Sequence, residues 1–359
     1  MKKILSFISV ALLFGAALAV SCKKLADVTG PGEDSSDEET ATLSISLSGV
    51  DTDISTRASS TAEYNGDKTA ADVQFLILDS SGNYVKWLTT AGSTTLSKGM
   101  TYTVVAVVNG PVVYGARLSD VRNMVCGLAA YPYVMYGEAT ANLTSASSAS
   151  VTVSVTSLAS RVHLTSIRNS MPGAFGAITL KRVYLSNVKG EVKFDGTAVA
   201  TWYNQYGRKA LTTPITANST TGAVDAECTA SAYTFKSYEA TPATSIATSA
   251  TYSANAYYYT FPNSLKTAIP ANLATTTTWT DQATWLTVCG EVNSKIYYWT
   301  VNLGAALTNG IERNYSYDVA LTVNNLGSSD PGTPVTAGTA TLAINVQPWQ
   351  AGSEITQTL

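Results

Sequence analysis

Short runs of β-branched, aromatic and aliphatic residues, separated by Gly, Pro, Asn and Asp, recur along nearly the whole chain, with hardly a helical period among them. The first, Thr40-Ala41-Thr42-Leu43-Ser44-Ile45-Ser46-Leu47, alternates strictly, so Leu43, Ile45 and Leu47 share one face of a predicted strand. Val73–Leu78 follows, and Asp79-Ser80-Ser81-Gly82-Asn83 supplies hairpin residues into Tyr84–Leu88. Residues 102–109 are β-branched and numerous enough for a buried strand, and 119–128 read as a small helical or irregular excursion. Strand signals return at 133–136, 151–155 and 161–164, then at 178–188, 257–263, 285–289, 296–301 and 317–323.

These strands divide into two predicted units, 58–168, closed by 161–164, and 169–329. Many short strands with turn punctuation argue for an all-β chain of two β-sandwiches. The stretch 326–334, with Pro331 and Pro334, breaks the pattern and reads as a partly stiffened linker. Segment 330–359 is thus a lead carrying a last strand outside the second unit.

That last strand, Thr339-Ala340-Thr341-Leu342-Ala343-Ile344-Asn345-Val346, is a near copy of the first. Both read T-A-T-L-x-I-x-[L/V], with Leu342, Ile344 and Val346 in the places of Leu43, Ile45 and Leu47. Two interchangeable strands near opposite ends imply that one can take the other's place in a neighbouring subunit, once the first copy (42–57) is removed. The loop after the first copy holds one basic residue, Arg57, followed by Ala58, which suits a trypsin-like protease. The plain alternatives stay open here: a solvated arginine, and a coincidental repeat in a chain rich in Thr, Ala and Ser.

Composition supports the strand reading. Charged residues are 13% of the 359, against ~25% in an ordinary globular protein, while Tyr alone numbers 20. A net charge of −3 offers no basic footprint for nucleic acid. Lys2 and Lys3 precede an apolar run from Ile4 to Val20 that ends Ala19-Val20-Ser21-Cys22, the pattern of a lipoprotein signal peptide over 1–21. Cys22 would then carry the lipid, each buried CH₂ of its acyl chains adding ~0.8 kcal/mol of membrane affinity. Residues 22–41 form a polar tether with five carboxylates between Glu33 and Glu39, too irregular for a calcium loop. The other cysteines, Cys126, Cys228 and Cys289, make no C-x-x-C pair and read as small buried thiols.

Catalytic motifs are missing. The sole histidine, His163, alternates with Val162 and Leu164 and reads as an exposed structural residue; no G-x-S-x-G elbow accompanies it. No phosphate loop or metal set is spelled out, so no cofactor is expected. Trp279, Trp285, Tyr297, Tyr298 and Trp299 would stack sugars if they shared an open face, although strand alternation favours core and cross-strand pairs.

A series of motifs, in order, resembles the fimbrillins, the lipoprotein-precursor pilus subunits of Bacteroidales-type surface fimbriae (type V pili). They include the early strand with Thr56-Arg57-Ala58, the hairpin after Phe75, Gly99 with 102–109, and Ser157-Leu158-Ala159-Ser160-Arg161-Val162. Val183–Val188, Trp202-Tyr203-Asn204, Phe261-Pro262-Asn263, Arg313-Asn314-Tyr315-Ser316-Tyr317 and the tail ending Val346-Gln347-Pro348-Trp349 complete them. The resemblance implies two transthyretin-like β-sandwich domains and export as an outer-membrane lipoprotein. It also implies cleavage between Arg57 and Ala58, and a C-terminal donor strand, with Leu342, Ile344, Val346 and Trp349, that enters the groove left in the next subunit. The implied partners are other fimbrial subunits, the outer membrane through the precursor's lipid, and a host protein or glycan. Lys23-Lys24 directly after Cys22 departs from an acidic export signal. The competing reading is a glycan-binding surface lipoprotein that stays monomeric.

Overall fold

In a computed structural model, described here for residues 39–50, 70–128, 133–197, 199, 201–203, 238–239, 244–266, 282–329 and 335–349, the chain is all-β. Its first half contains β1 (Thr40–Ser48), β2 (Val73–Leu78), β3 (Tyr84–Leu88), β4 (Gly92–Ser97), β5 (Thr101–Val108), α1 (Leu118–Asn123), β6 (Val125–Gly127), β7 (Met135–Asn142), β8 (Ser148–Ser154) and β9 (Thr156–Ser157). Strands β4-β1-β8 make one sheet and β3-β2-β5-β7-β9 another. Ala41, Leu43 and Ile45 of the first meet Phe75, Ile77, Val104 and Met135 of the second in one apolar core.

The opposite face of the five-stranded sheet is also covered. Leu76, Leu78, Val105 and Val107 pack with Val121 of α1 and Phe194. Burial on both faces accounts for the unbroken apolar runs at Phe75–Leu78 and Val104–Val108, where a half-exposed strand would alternate. The excursion expected at 119–128 resolves into α1, a break at Met124, and β6.

The second half contributes β10 (Ser160–Asn169), β11 (Ile178–Ser186), β12 (Val188–Lys189), β13 (Glu191–Lys193), β14 (Trp202–Tyr203), β15 (Tyr238–Glu239), β16 (Ser245–Ile246) and β17 (Thr251–Thr260). After these come β18 (Trp285–Val292), β19 (Lys295–Asn302), α2 (Leu303–Ala306), β20 (Tyr315–Val323) and β21 (Ala340–Pro348). Sheet β17-β10-β20-β21 shares a core with sheet β15-β11-β18-β19 through Val162, Leu164, Val319, Val183, Val288 and Trp299. That core is continuous with the residues behind the first five-stranded sheet, and β6 pairs with β13 between the halves.

Two expectations change. Residues 161–164, expected to close the first unit, lie in β10, which pairs with β17 and β20 and so belongs to the later sheet. Alternation marks a strand but not its partner, and these partners lie roughly 90 and 155 residues away. The last strand does not stand clear of the fold either: β21 pairs antiparallel with β20 along its length, from Ala340↔Val323 to Pro348↔Tyr315. The start of the expected linker is likewise seated, with Ser328 and Tyr298 exchanging backbone hydrogen bonds of 2.9 and 2.8 Å.

Candidate strand-exchange site

The two copies of the repeat occupy different environments. β1 is the middle strand of its sheet, antiparallel to β4 and parallel to β8, so both of its edges are paired. Its apolar side is dry: Ala41 is 2%, Leu43 0% and Ile45 4% exposed, with Leu47 half-buried. Its polar side makes a ladder, Ser44–Ser93 at 2.9 Å, Ser46–Thr152 at 2.8 Å and Ser48–Ser154 at 2.8 Å. At the start of the strand Glu39 pairs with Lys98 at 2.5 Å, and that bond holds the Glu39 carboxyl below its usual value. At the far end Gly49, at φ +88°, lies so close to Val155 that a Cβ there would sit 2.1 Å from the Val155 carbonyl oxygen.

Among the described residues β21 is an edge strand with one partner, β20. Ala340 is buried, Leu342 and Ile344 are half-buried, and Val346 is 43% exposed. Its outer end is pinned by Trp349, only 2% exposed. The Trp349 N–H donates to the Asn314 carbonyl at 2.6 Å, and its ring lies 5.4 Å from the Arg161 guanidinium and 5.9 Å from the Tyr259 ring. Arg161 also lies 5.4 Å from Tyr257 and donates from Nε to Ser316 Oγ at 3.0 Å. This seat could have been anticipated only in part, since an Arg at 161 and a Trp at 349 are brought together by sheet pairing alone.

Cys22, Arg57 and Ala58 lie outside the described residues, as does Cys228. Cys126 and Cys289 are buried free thiols, and burial pushes each up to about 12.

The residues considered for chemistry are placed differently from the expectation. His163 is buried, not exposed: Nδ1 is 3.0 Å from Asp318 Oδ1, Nε2 is 3.0 Å from Asn255 Oδ1, and the ring stacks on Tyr257 at 4.3 Å. Asn255 and Tyr257 of β17 and Asp318 of β20 cover a face that alternation alone read as open. Trp285, Tyr298 and Trp299 are core residues, Tyr297 is half-buried, and Trp279 is outside the described residues, so among the described residues these aromatics form no open sugar platform. A cleft of about 600 Å³ is lined by Lys189, Asp195, Glu312 and Arg313 among others. Its carboxylates are engaged locally, Asp195 by the Thr197 N–H at 2.8 Å and Glu312 by Asn309 at 3.3 Å. Among the described residues no group of three or more His, Cys, Asp or Glu is placed to hold a metal.

No family model matches the chain, and no curated protein matches it. Solved structures do. A protein assigned to cell adhesion from Bacteroides eggerthii DSM 20697 superposes with a TM-score of 0.56 at 17% identity, over 87% of this chain and 96% of its own. A second protein so assigned, from Parabacteroides distasonis ATCC 8503, gives 0.56 at 15% identity over 87% and 100%. A fimbrilin from Porphyromonas gingivalis W83 gives 0.56 at 15% identity over 88% of this chain and 99% of that one. The chain therefore has the all-β fold seen in this fimbrilin and these cell-adhesion proteins, and the resemblance read from its motifs holds at the level of fold.

Proposed function

We propose that the chain is a structural subunit of a surface fimbrium, serving cell adhesion and without catalysis. In this reading it is exported as a lipoprotein acylated at Cys22, held at the outer membrane, cut between Arg57 and Ala58, and polymerised by strand exchange. Leu342, Ile344 and Val346 of one subunit then take the places of Leu43, Ile45 and Leu47 in the next.

One observation supports this: Leu43 and Ile45 of the motif are buried and Leu47 is half-buried in β1, whereas in β21 Leu342 and Ile344 are only half-buried and Val346 is exposed. Raising Leu342 and Ile344 from half to full burial contributes about half of the ~1.5–3 kcal/mol that burying each side chain is worth, so about 1.5–3 kcal/mol for the pair. The slot also offers two strand edges where β20 offers one, and unpaired edges recruit strands. Head-to-tail contact that does not close yields a filament. The buried indoles of Trp285 and Trp299 withdraw the sequence support for a monomeric glycan binder built on that region.

The test is processing in vitro. Precursor treated with an Arg-specific protease should form detergent-resistant ladders and filaments visible by electron microscopy, and Arg57→Ala should stay monomeric. Ladders from Arg57→Ala would remove cleavage at Arg57 as the trigger. Normal polymers from a chain lacking 338–359 would remove β21 as the donor.

A further inference from the structure

A different part of the surface is built to hold aromatic rings outside. In the ladder of β2 with β3, Leu76 faces Trp87, Ile77 faces Lys86 and Leu78 faces Tyr84, so the register skips Val85. Residues three apart on a regular strand point to opposite faces, and a bulge reverses this. Here it aims Tyr84 and Trp87 to the same side as Leu76 and Leu78. The loop after β5 then sets Tyr114 against both, edge to face, at 5.5 Å from Tyr84 and 5.7 Å from Trp87.

This corner is rigidly supported from below. Gln74 is 1% exposed and spends its whole amide on it. Its Oε1 accepts from Trp87 Nε1 at 3.3 Å and from the Val113 N–H at 3.2 Å. Its Nε2 donates to the Pro111 and Gly110 carbonyls, at 3.2 and 3.4 Å, and to Asp72 at 3.3 Å. Val113 is buried as a plug, while its neighbours Val112 and Tyr114 stand out of the surface, each 67% exposed. The buried amide network gives the loop no freedom to fold these two inward.

Size and polarity identify what fits. A fully exposed Tyr offers ~150–250 Å², so Tyr114 and Val112 present a few hundred Å² at most, below the ~800 Å² per partner of a stable protein interface. Lys86, the charged residue of β3, pairs opposite Ile77 and so points to the other side of the sheet. The Tyr84 hydroxyl is bonded to that of Tyr114, and burial and then this neighbour push the Tyr84 phenol up, keeping it a neutral donor–acceptor group. A small aromatic corner rimmed by phenol hydroxyls, with the Asp72 carboxylate engaged by Gln74 beneath it, matches one apolar face of a neutral sugar ring.

We infer that Tyr84, Trp87 and Tyr114 form a subsite for a neutral pyranose, with Tyr114 as the stacking ring and the two phenol hydroxyls bonding ring substituents. A galactose-configured ring is a convenient probe, because its C3, C4 and C5 hydrogens lie on one face. The subsite needs only the folded monomer, so it stands apart from strand exchange.

Saturation-transfer NMR on the full chain with methyl β-D-galactopyranoside tests it, at about 50 mM and therefore well above a millimolar dissociation constant. The expected result is strongest saturation at H3, H4 and H5, weakened about tenfold in affinity by Tyr114→Ala and only a few-fold by Tyr114→Phe, which keeps the ring. Thermal unfolding should show both variants folded at the assay temperature, with Tyr114→Ala melting a few degrees lower for its lost edge contacts to Tyr84 and Trp87. Absence of saturation with the galactoside and with methyl β-D-glucopyranoside overturns the inference, as does a signal unchanged in Tyr114→Ala. A dimer in light scattering that Tyr114→Ala converts to monomer would assign the corner to a second copy of the chain and overturn it equally.

Discussion

Ile344→Ala separates the two environments of the repeated strand. In β21 the Ile344 side chain is half-buried at a sheet edge, whereas the position it would take in β1 is that of Ile45, 4% exposed. Truncating a buried Ile to Ala costs about 2–5 kcal/mol, and at a half-covered edge site about half of that, so ~1–2 kcal/mol. A free subunit starts with its strand docked on β20, so the joint is weakened by the difference, about 1–3 kcal/mol. At ~1.4 kcal/mol per tenfold, that is roughly 5- to 150-fold in the dissociation constant.

Two measurements are compared. Denaturant unfolding of unprocessed Ile344→Ala precursor should show a loss of about 1–2 kcal/mol at unchanged slope. Heating protease-treated polymers in detergent should show ladders collapsing at distinctly lower temperature than the parent. If the precursor loses its full 1–2 kcal/mol while the ladders melt unchanged, Ile344 acts only within its own subunit and the exchange reading fails.

Gly49→Ala should destabilise the precursor by about 2 kcal/mol or more in denaturant unfolding, since φ is +88° and the Val155 carbonyl oxygen stands 2.1 Å from the new Cβ. Arg122 clasps Glu138 through two bonds of 2.8 and 2.6 Å and holds its carboxyl below the usual value. That contribution is fully present above the ordinary carboxylate range and is lost as pH falls through the lowered value. Glu138→Gln should therefore reduce stability at pH 7 and flatten the acid limb of the unfolding profile, with little effect at the acid extreme. The thiols of Cys126 and Cys289, pushed up to about 12, should resist iodoacetamide at pH 8 in the folded chain and react on unfolding, as read by mass spectrometry.

How much of this was legible follows from what periodicity encodes. At Thr40–Leu47 one face is buried, so the alternation names Leu43 and Ile45 correctly as core. At Arg161–Leu164 the same kind of pattern identifies a strand but cannot show that its neighbours are β17 and β20. His163 reads as exposed because its cover, Tyr257 and Asp318, comes from those two strands. The aromatic residues divide in the same way. Trp285 and Trp299 sit in the core, while Tyr84 and Trp87 are half-buried and share the face of Leu76 and Leu78 only because the register skips Val85, a step with no signature in the residues themselves.

The repeat itself has a limit that only the backbone reveals. Placed in register with β1, the donor sets Ala340 at the buried place of Ala41 and Gln347 at Ser48, where the Ser48 carbonyl accepts from the Val155 N–H at 3.0 Å. The next residue, Pro348, would fall on Gly49. Proline fixes φ near ~−65°, and the slot requires +88° with no room for a Cβ. A donor in this register therefore follows the path of β1 through Gln347 and turns away at Pro348, which leaves Trp349 outside the slot. Trp349 then acts in the free subunit alone, where it packs against Arg161 and Tyr259. A chain ending at Gln347 should polymerise into ladders that melt with the parent's. Before processing, its β21 should be cut sooner in limited proteolysis, by about the 5- to 30-fold that a lost cation–π contact of ~1–2 kcal/mol implies. Ladders weakened as severely as those of Ile344→Ala would place Trp349 inside the joint and refute the argument from Gly49.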